Sequence, residues 1–263
     1  MHAPRKRFGQ NFLHDPRVIA RIVQVIAPHA GEHVIEIGPG RGAITLPLLA
    51  CGVDLDVIEL DRDLIANLSR LAAPPSASLR IHNADALEFD LCGLAQDGRK
   101  LRVAGNLPYN ISTPLLFRLI EQHACIEDMH LMLQKEVVER MAASAGGRDY
   151  GRLSVMVQYH CRVQPLFTIG PGAFFPQPRV DSCFVRLIPH SSAEIRTMNE
   201  DVFTLVVRTA FMHRRKTLRN ALKGLATAEI FAAADIDADR RPEQLDLHEY
   251  VRLSDRLAAA AAR

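Results

Sequence analysis

The sequence predicts an α/β protein, a mostly parallel sheet covered by helices, followed by a small all-helical C-terminal domain. Three observations carry this. Short runs rich in Val, Ile and Leu alternate with stretches of helical periodicity through the first half of the chain, as in a sheet with right-handed crossovers. One of those runs, "HVIEIGPGRG" (33–42), ends in a glycine-rich turn. Past "PHSSAE" (189–194) strand signals stop and the remaining chain reads as helix.

Taken in order, apolar residues recur at helical spacing from Val18 to Ile26. The strand at 33–37 follows, then a helix in "AITLPLLACG" (43–52), a strand in "LDVIELD" (55–61) and a helical stretch to about Leu71. A third strand lies near "LRIHNAD" (79–85) and a fourth at "LRVAGN" (101–106). "HLMLQKEVVERMAA" (130–143) begins as strand and continues as helix. "SVMVQYHCRVQPLF" (154–167) and "VDSCFVRLI" (180–188) read as two late strands with no long helix at the last step, which implies an antiparallel strand toward the sheet's far edge. A linker at 189–194 divides the chain into domains 1–190 and 191–263. In the second, Val207, Phe211, Leu218, Leu222 and Leu225 fall on one stripe of an amphipathic helix that Gly224 would stop. The Ala-rich tail is assigned nothing beyond a helix end.

Composition bounds the function. With 263 residues, 48% of them hydrophobic, the chain can bury a full core. It has no apolar run near the roughly 18 residues of a membrane span and no signal-peptide pattern at its N-terminus, so it is expected to be cytoplasmic. Cys51, Cys92, Cys125, Cys161 and Cys183 are scattered, odd in number and without metal-ligand spacing. They are read as reduced thiols, with no metal site. The net charge of +2 says little, but its distribution is informative. Arg5, Lys6 and Arg7 cluster, and "RTAFMHRRKTLRNALK" (208–223) is basic without an acid, the footprint of a nucleic-acid contact.

The glycines alone leave two cofactors open. Gly38-x-Gly40-x-x-Ala43 satisfies a dinucleotide fingerprint, while Glu36-x-Gly38-x-Gly40-x-Gly42 looks like the first motif of S-adenosylmethionine methyltransferases. Glu59, ending the second strand, suits either, because a carboxylate there accepts from both ribose hydroxyls. Asp85 and Asn106 favour the methyl donor: Asp85 stands where it could receive an adenine amino group, and Asn106 ends the fourth strand on the ligand-binding edge. After it comes "NLPY" (106–109), where Pro108 lacks an amide donor and pushes Leu107 out of the helical region. The turn exposes an amide at Asn106, a constrained carbonyl at Pro108 and a ring at Tyr109, parts for gripping a flat heterocycle that carries an amino group.

"RFGQNFL" (7–13), "EIGPGRG" (36–42), "GNLPYNIST" (105–113), "FFPQPRVDS" (174–182) and "FMHRRKTLRNAL" (211–222) occur together and in order. Jointly they resemble the ribosomal RNA adenine dimethyltransferases, specifically the bacterial small-subunit type. The resemblance implies a Rossmann-like S-adenosylmethionine-dependent methyltransferase domain with a helical rRNA-recognition domain. It implies that Asn11 and Leu13 close over the cofactor, with Gly38 at its amino-acid end, Glu59 on the ribose, Asp85 on the adenine and Asn106 beside the transferred methyl. Phe174, in Phe-x-Pro-x-Pro, would help Tyr109 hold the target base, with the adjoining Phe175 as the alternative for that role; core packing is the plain reading of either ring and the favoured one for Phe175. Arg208, Arg215, Lys216, Arg219 and Lys223 would contact the RNA backbone. The implied substrate is two adjacent adenines in the 3′-terminal hairpin loop of 16S rRNA, each dimethylated within the 30S particle by a monomeric enzyme. The alternatives are a large-subunit rRNA adenine methyltransferase of the macrolide-resistance kind, opposed by the basic helix and by "RPEQLDLHEY" (241–250), and a non-catalytic ribosome-assembly factor, opposed by intact Glu59, Asp85, Asn106 and Tyr109.

Overall fold

The computed structural model describes residues 10–95, 98–191 and 195–261. The Arg5–Arg7 cluster, part of the linker (192–194) and the last two residues of the tail lie outside the described residues. The strands are β1 (Phe12–Leu13), β2 (His33–Ile37), β3 (Asp54–Glu59), β4 (Ser78–Asn83), β5 (Leu101–Asn106), β6 (Ile126–Gln134), β7 (Cys161–Ile169), β8 (Phe174–Phe175) and β9 (Ser182–Pro189). The helices are α1 (Pro16–Ile26), α2 (Thr45–Ala50), α3 (Arg62–Leu68), α4 (Ser112–Glu121), α5 (Lys135–Ala142), α6 (Arg152–His160), α7 (Glu200–Met212), α8 (Leu218–Ala221), α9 (Ala228–Ala233) and α10 (Leu247–Ala261).

Seven strands form one sheet in the order β4-β3-β2-β5-β6-β9-β7. β2 runs parallel to β3 and β5, β3 to β4, and β5 to β6, while β9 is antiparallel to β6. The chain steps outward from β2 through β3 to β4 and then returns to β2's other side with β5. Strand order therefore reverses between β2 and β5, where open α/β sheets leave a crevice at their carboxyl edge. One face of the sheet is held by apolar burial: Val34, Leu55, Val57, Ala104 and Met132 are buried in one cluster with Ile22 and Ile26 of α1 and Leu48 and Leu49 of α2. Each of the Val, Leu, Ile and Met side chains contributes on the order of 1.5–3 kcal/mol on burial. α1 starts cleanly because Asp15 accepts from the amides of Arg17 and Val18 and Pro16 needs no partner.

Two compact units emerge, one comprising residues up to Val138 with Gln164–Pro189, the other Glu139–Val163 with the chain from His190 onward. This differs from a single division after residue 190, because 139–163 joins the helical unit. Within that unit Tyr159 packs on Phe203, ring centroids 4.4 Å apart, and the buried Tyr250 donates to the Pro242 carbonyl at 2.8 Å.

Several expectations need correction. The apolar run at 154–160 is helix, not strand: Ser154 Oγ accepts from Gly151 N and donates to the Arg140 carbonyl, starting α6, and the strand begins only at Cys161. The single helix expected across 207–223 is broken after Met212. Leu218 N and Arg219 N donate to the Arg240 and Ala238 carbonyls, so tertiary bonds replace the helical ones across a run of three cations, Arg214 to Lys216. Gly224 does adopt positive φ, +84°, as a helix-end glycine. Cys92 and Cys125 form a disulfide, not two free thiols. Gln122 brings their turns together, accepting from Leu91 N at 2.7 Å and donating to the Phe89 carbonyl at 3.1 Å, a pairing 33 residues apart that no spacing signals. Among the described residues no helix is long and apolar enough to cross a membrane.

Candidate active site at the sheet's carboxyl edge

The carboxyl ends of β2, β3, β4 and β5 open on one cavity of about 270 Å³. Gly38 follows β2, Glu59 ends β3, Asp85 lies two residues beyond β4 and Asn106 ends β5; all four line it, together with Pro108 and Tyr109. Asn11 and Leu13 line it from β1 and the residue before it. Eight side chains or backbone positions chosen from the sequence thus meet in one place.

Glycine is required at two of these turns. Gly40 sits at φ +58°, and a Cβ there would press within 3.1 Å of the Phe12 ring. Gly105 lies in β5 itself, where a Cβ would come within 2.6 Å of the Ile37 carbonyl. Without a side chain, Gly105 lets the end of β5 lie against the Ile37 backbone of β2.

Glu59 is the hub of the loop. One oxygen accepts from Gly40 N at 3.2 Å and the other from Asp61 N at 2.9 Å. Burial pushes its carboxyl above the ordinary range, against the pull of these amides. Backbone amides take part of the carboxylate's acceptor capacity, and its two oxygens together have about four lone-pair sites, so capacity remains for ribose hydroxyls. Asp61 in turn accepts from Gln10 Nε2 at 3.1 Å, which ties the segment preceding β1 to the same hub. Glu36 is buried on β2, held by Thr45 Oγ1 at 2.6 Å; burial, with the nearby Glu59 charge, pushes its carboxyl up to about 7. Asp85 accepts from Leu87 N at 2.9 Å, fixing the loop after β4.

At the end of β5 the ladder continues one step further, Leu107 N donating to the Met132 carbonyl, and stops at Pro108, which has no amide. Asn106 Nδ2 donates to the Asn11 carbonyl at 2.8 Å. A carbonyl can only accept, so this bond assigns the amide's orientation and leaves Oδ1 as its acceptor. The Pro108 carbonyl accepts from Ile111 N at 3.1 Å with one lone pair and keeps the other. Tyr109 is pinned by its hydroxyl to Ser182 Oγ at 2.5 Å, and burial keeps the phenol protonated by raising its pKa. The ring is therefore anchored at its far end.

Two groups of expected residues lie elsewhere. Phe174 is 1% exposed, packed in the core with Leu13, its register partner across the β1–β8 pair. Neither Phe174 nor Phe175 lines the cavity, and Phe175, for which packing was the favoured reading, is 57% exposed. Pleating is the reason: successive residues on a strand face opposite ways, and the two-residue β1–β8 ladder, invisible to sequence periodicity, decides which Phe turns inward. Arg208, Arg215, Lys216, Arg219 and Lys223 are carried by the helical unit, and Arg219 is paired with Asp239 at 3.1 Å. Sequence reasoning missed Glu36, Asp61, Gln10, Phe12 and Arg41. Glu36 and Arg41 carried a signal as members of the glycine motif, and Gln10 and Phe12 as members of "RFGQNFL".

The sequence model of a family described as ribosomal RNA adenine dimethylase matches residues 1–259. The chain is 56% identical over 257 residues to ribosomal RNA small subunit methyltransferase A of Pseudomonas putida, covering 98% of this chain and 96% of the relative. It is 54% identical to the protein of the same name from Nitrosococcus oceani, over 96% of both chains. Among solved structures, a dimethyladenosine transferase from Plasmodium falciparum superposes with a TM-score of 0.77 at 26% identity, covering 92% of this chain and 95% of that one. The 23S rRNA methyltransferase ErmE shares the fold, with a TM-score of 0.70 at 23% identity over 94% of this chain and 100% of that one.

Proposed function

The chain belongs to the ribosomal RNA adenine dimethylase family, and from that premise we propose that it dimethylates the exocyclic amino groups of two adjacent adenines in the 3′-terminal hairpin loop of 16S rRNA. The methyl donor is S-adenosylmethionine, the substrate is the 30S particle, and the enzyme works as a cytoplasmic monomer in small-subunit biogenesis. The observation that carries this reading is the meeting of Glu59, Asp85 and the Asn106–Tyr109 turn around one cavity. Specificity for small-subunit RNA is supported by relatives above 50% identity bearing that name, against 23% for the large-subunit enzyme.

The residues present suit the cofactor: Gly38 gives close backbone approach, and Glu59 and Asp85 keep acceptor capacity for ribose hydroxyls and the adenine amino group. Asn11 and Leu13 close over it. S-adenosylmethionine, when bound, supplies an electrophilic methyl on a sulfonium. The chain's task is to make a poor nucleophile attack, since an adenine amino nitrogen delocalises its lone pair into the ring. Asn106 Oδ1 and the Pro108 carbonyl accept its two hydrogens, allowing the nitrogen to pyramidalise and turn its lone pair toward the methyl. Tyr109 stacks on the base, at about 1–3 kcal/mol per base in single-strand binders. No strong base is needed beforehand, because the proton leaves after transfer, when the nitrogen is cationic. Alignment is the main contribution, on the order of 7–11 kcal/mol for well-oriented reactants. The target atom lies on the pairing edge, so the base enters unpaired or flipped out.

Asn106→Ala tests this. Turnover on undermethylated small subunits is expected to fall by at least about 100-fold, roughly the 2.7 kcal/mol or more seen when one positioned polar group is removed from a reacting centre, while S-adenosylmethionine affinity changes little. Near-normal turnover would remove Asn106 from the chemistry.

A further inference from the structure

Phe175 is a large apolar ring left 57% exposed beside the candidate site, and the site as described makes no use of it. A single exposed apolar residue needs no explanation, but three further observations give this one a setting. Phe175 pairs in register with Phe12 across the antiparallel β1–β8 ladder, and directly paired residues project from the same face. Phe12 itself lines the cavity, its ring lying against Gly40. The exposed Arg41, also a lining residue, holds its guanidinium 4.5 Å above the Phe12 ring centroid. An aromatic ring and a stacked cation therefore both adjoin Phe12, a wall of the cavity, and Pro176 and Pro178 restrict the backbone that follows Phe175.

We propose that Phe175 and Arg41 form a ledge at the cavity mouth that takes the nucleotide next to the target adenine, its base stacking on Phe175 and its phosphate meeting Arg41. The proposal rests on the single-stranded RNA reading of the site. Unstacked bases in RNA loops are held on aromatic rings and guanidinium planes in this way. A base flipped into the cavity drags its neighbour to the rim, because the two share a phosphate. The ledge is a binding and register element: it touches the flanking nucleotide and not the reacting atoms, and any base can stack there because every base has a π-face. It also gives Phe12 a second task besides covering Gly40, that of supporting Arg41 from below.

The test uses the full chain with undermethylated small subunits and with a loop RNA carrying 2-aminopurine beside the target adenine. Phe175→Ala and Phe175→Leu are expected to raise KM for RNA about 5- to 100-fold, the range of one base stack removed, and Phe175→Tyr to stay near the parent. Turnover at saturating RNA, S-adenosylmethionine affinity and melting temperature should hold, since the ring is exposed. The parent should quench the 2-aminopurine on binding and Phe175→Ala should not. Arg41→Gln should lower the salt slope of RNA binding by about one. A Leu variant equal to the parent would overturn the ledge, since it keeps apolar cover without a stacking plane. So would a loss confined to turnover, which would make Phe175 a wall of the target-base pocket. Absence of methyl transfer by the parent would defeat the RNA reading of the site instead, and the quenching would still decide the ledge.

Discussion

At the residue scale the site is a set of polar groups whose partners determine what they can still do. Asn106 is the clearest case: its Nδ2 donates to the Asn11 carbonyl, which fixes Oδ1 as the acceptor the side chain presents. Glu36 carries a different consequence. Its carboxyl is pushed up to about 7 by burial, against about 4.3–4.5 in an unfolded chain. Between those values the folded protein holds a proton that the unfolded chain releases. Stability from this group is thus fully present below about pH 4.5 and lost as pH rises toward 7, by on the order of 3 kcal/mol. Glu59, also raised by burial, adds to the same slope. Asp56 and Asp128 act oppositely and at lower pH. Burial alone would raise their carboxyls, but His33, Arg80 and His82 around Asp56, and His130, Arg102 and Arg186 around Asp128, outweigh it and hold them well below the carboxylate range. Their contribution is lost only as pH falls below about 4. Glu36→Gln is therefore expected to flatten most of the decline in stability between about pH 5 and 7.5, read by denaturant titration without cofactor. An unchanged slope would place the titration elsewhere.

At the element scale, the basic segment is two short pieces joined by a turn. Its cations are carried by the end of α7, the loop after it and α8 with the residues following. Replacing Arg208, Arg215, Lys216 and Lys223 by Gln is expected to weaken RNA binding and flatten its salt dependence by about 3 in slope, at roughly 0.7–0.9 for each phosphate no longer neutralised. Arg219→Gln should change the slope least, because Asp239 already answers that charge. A slope unchanged in the fourfold variant would mean a solvated face. The elements legible in the sequence were those whose pattern is local and strong: β2, β3, β4 and β5, the glycine turn, and α1 with its apolar stripe. What was not legible depends on partners far along the chain. The α7–α8 break comes from bonds to 238–240, the inward turn of Phe174 from a two-residue ladder with β1, and the Cys92–Cys125 pair from Gln122. The run at 154–160 was ambiguous in itself, since a short apolar stretch fits strand or buried helix equally until Ser154 caps it.

At the scale of the whole molecule, the candidate site was more legible than the fold around it. Glu59, Asp85, Asn106, Pro108 and Tyr109 could be selected because chemistry restricts which residue types end a strand at a ligand edge. Their meeting in one cavity follows from strand order, which puts the ends of β2, β3, β4 and β5 side by side. Residues that support them were less legible: Gln10 and Arg41 fall inside recognised segments with no role attached, Asp61 follows a strand end, and all three acquire meaning from contacts at the sheet's edge. The division of the chain shows the same limit, since 139–163 returns to the helical unit by tertiary contact and not by composition.

The most direct test of the central claim is transfer of labelled methyl groups from S-adenosylmethionine to undermethylated small ribosomal subunits, large-subunit rRNA and DNA in parallel, with nucleoside analysis of the products. Dimethyladenosine from the small subunits alone is the expected result, at two residues per particle. Label on large-subunit RNA or DNA, or tight binding to small subunits with no transfer, would contradict it.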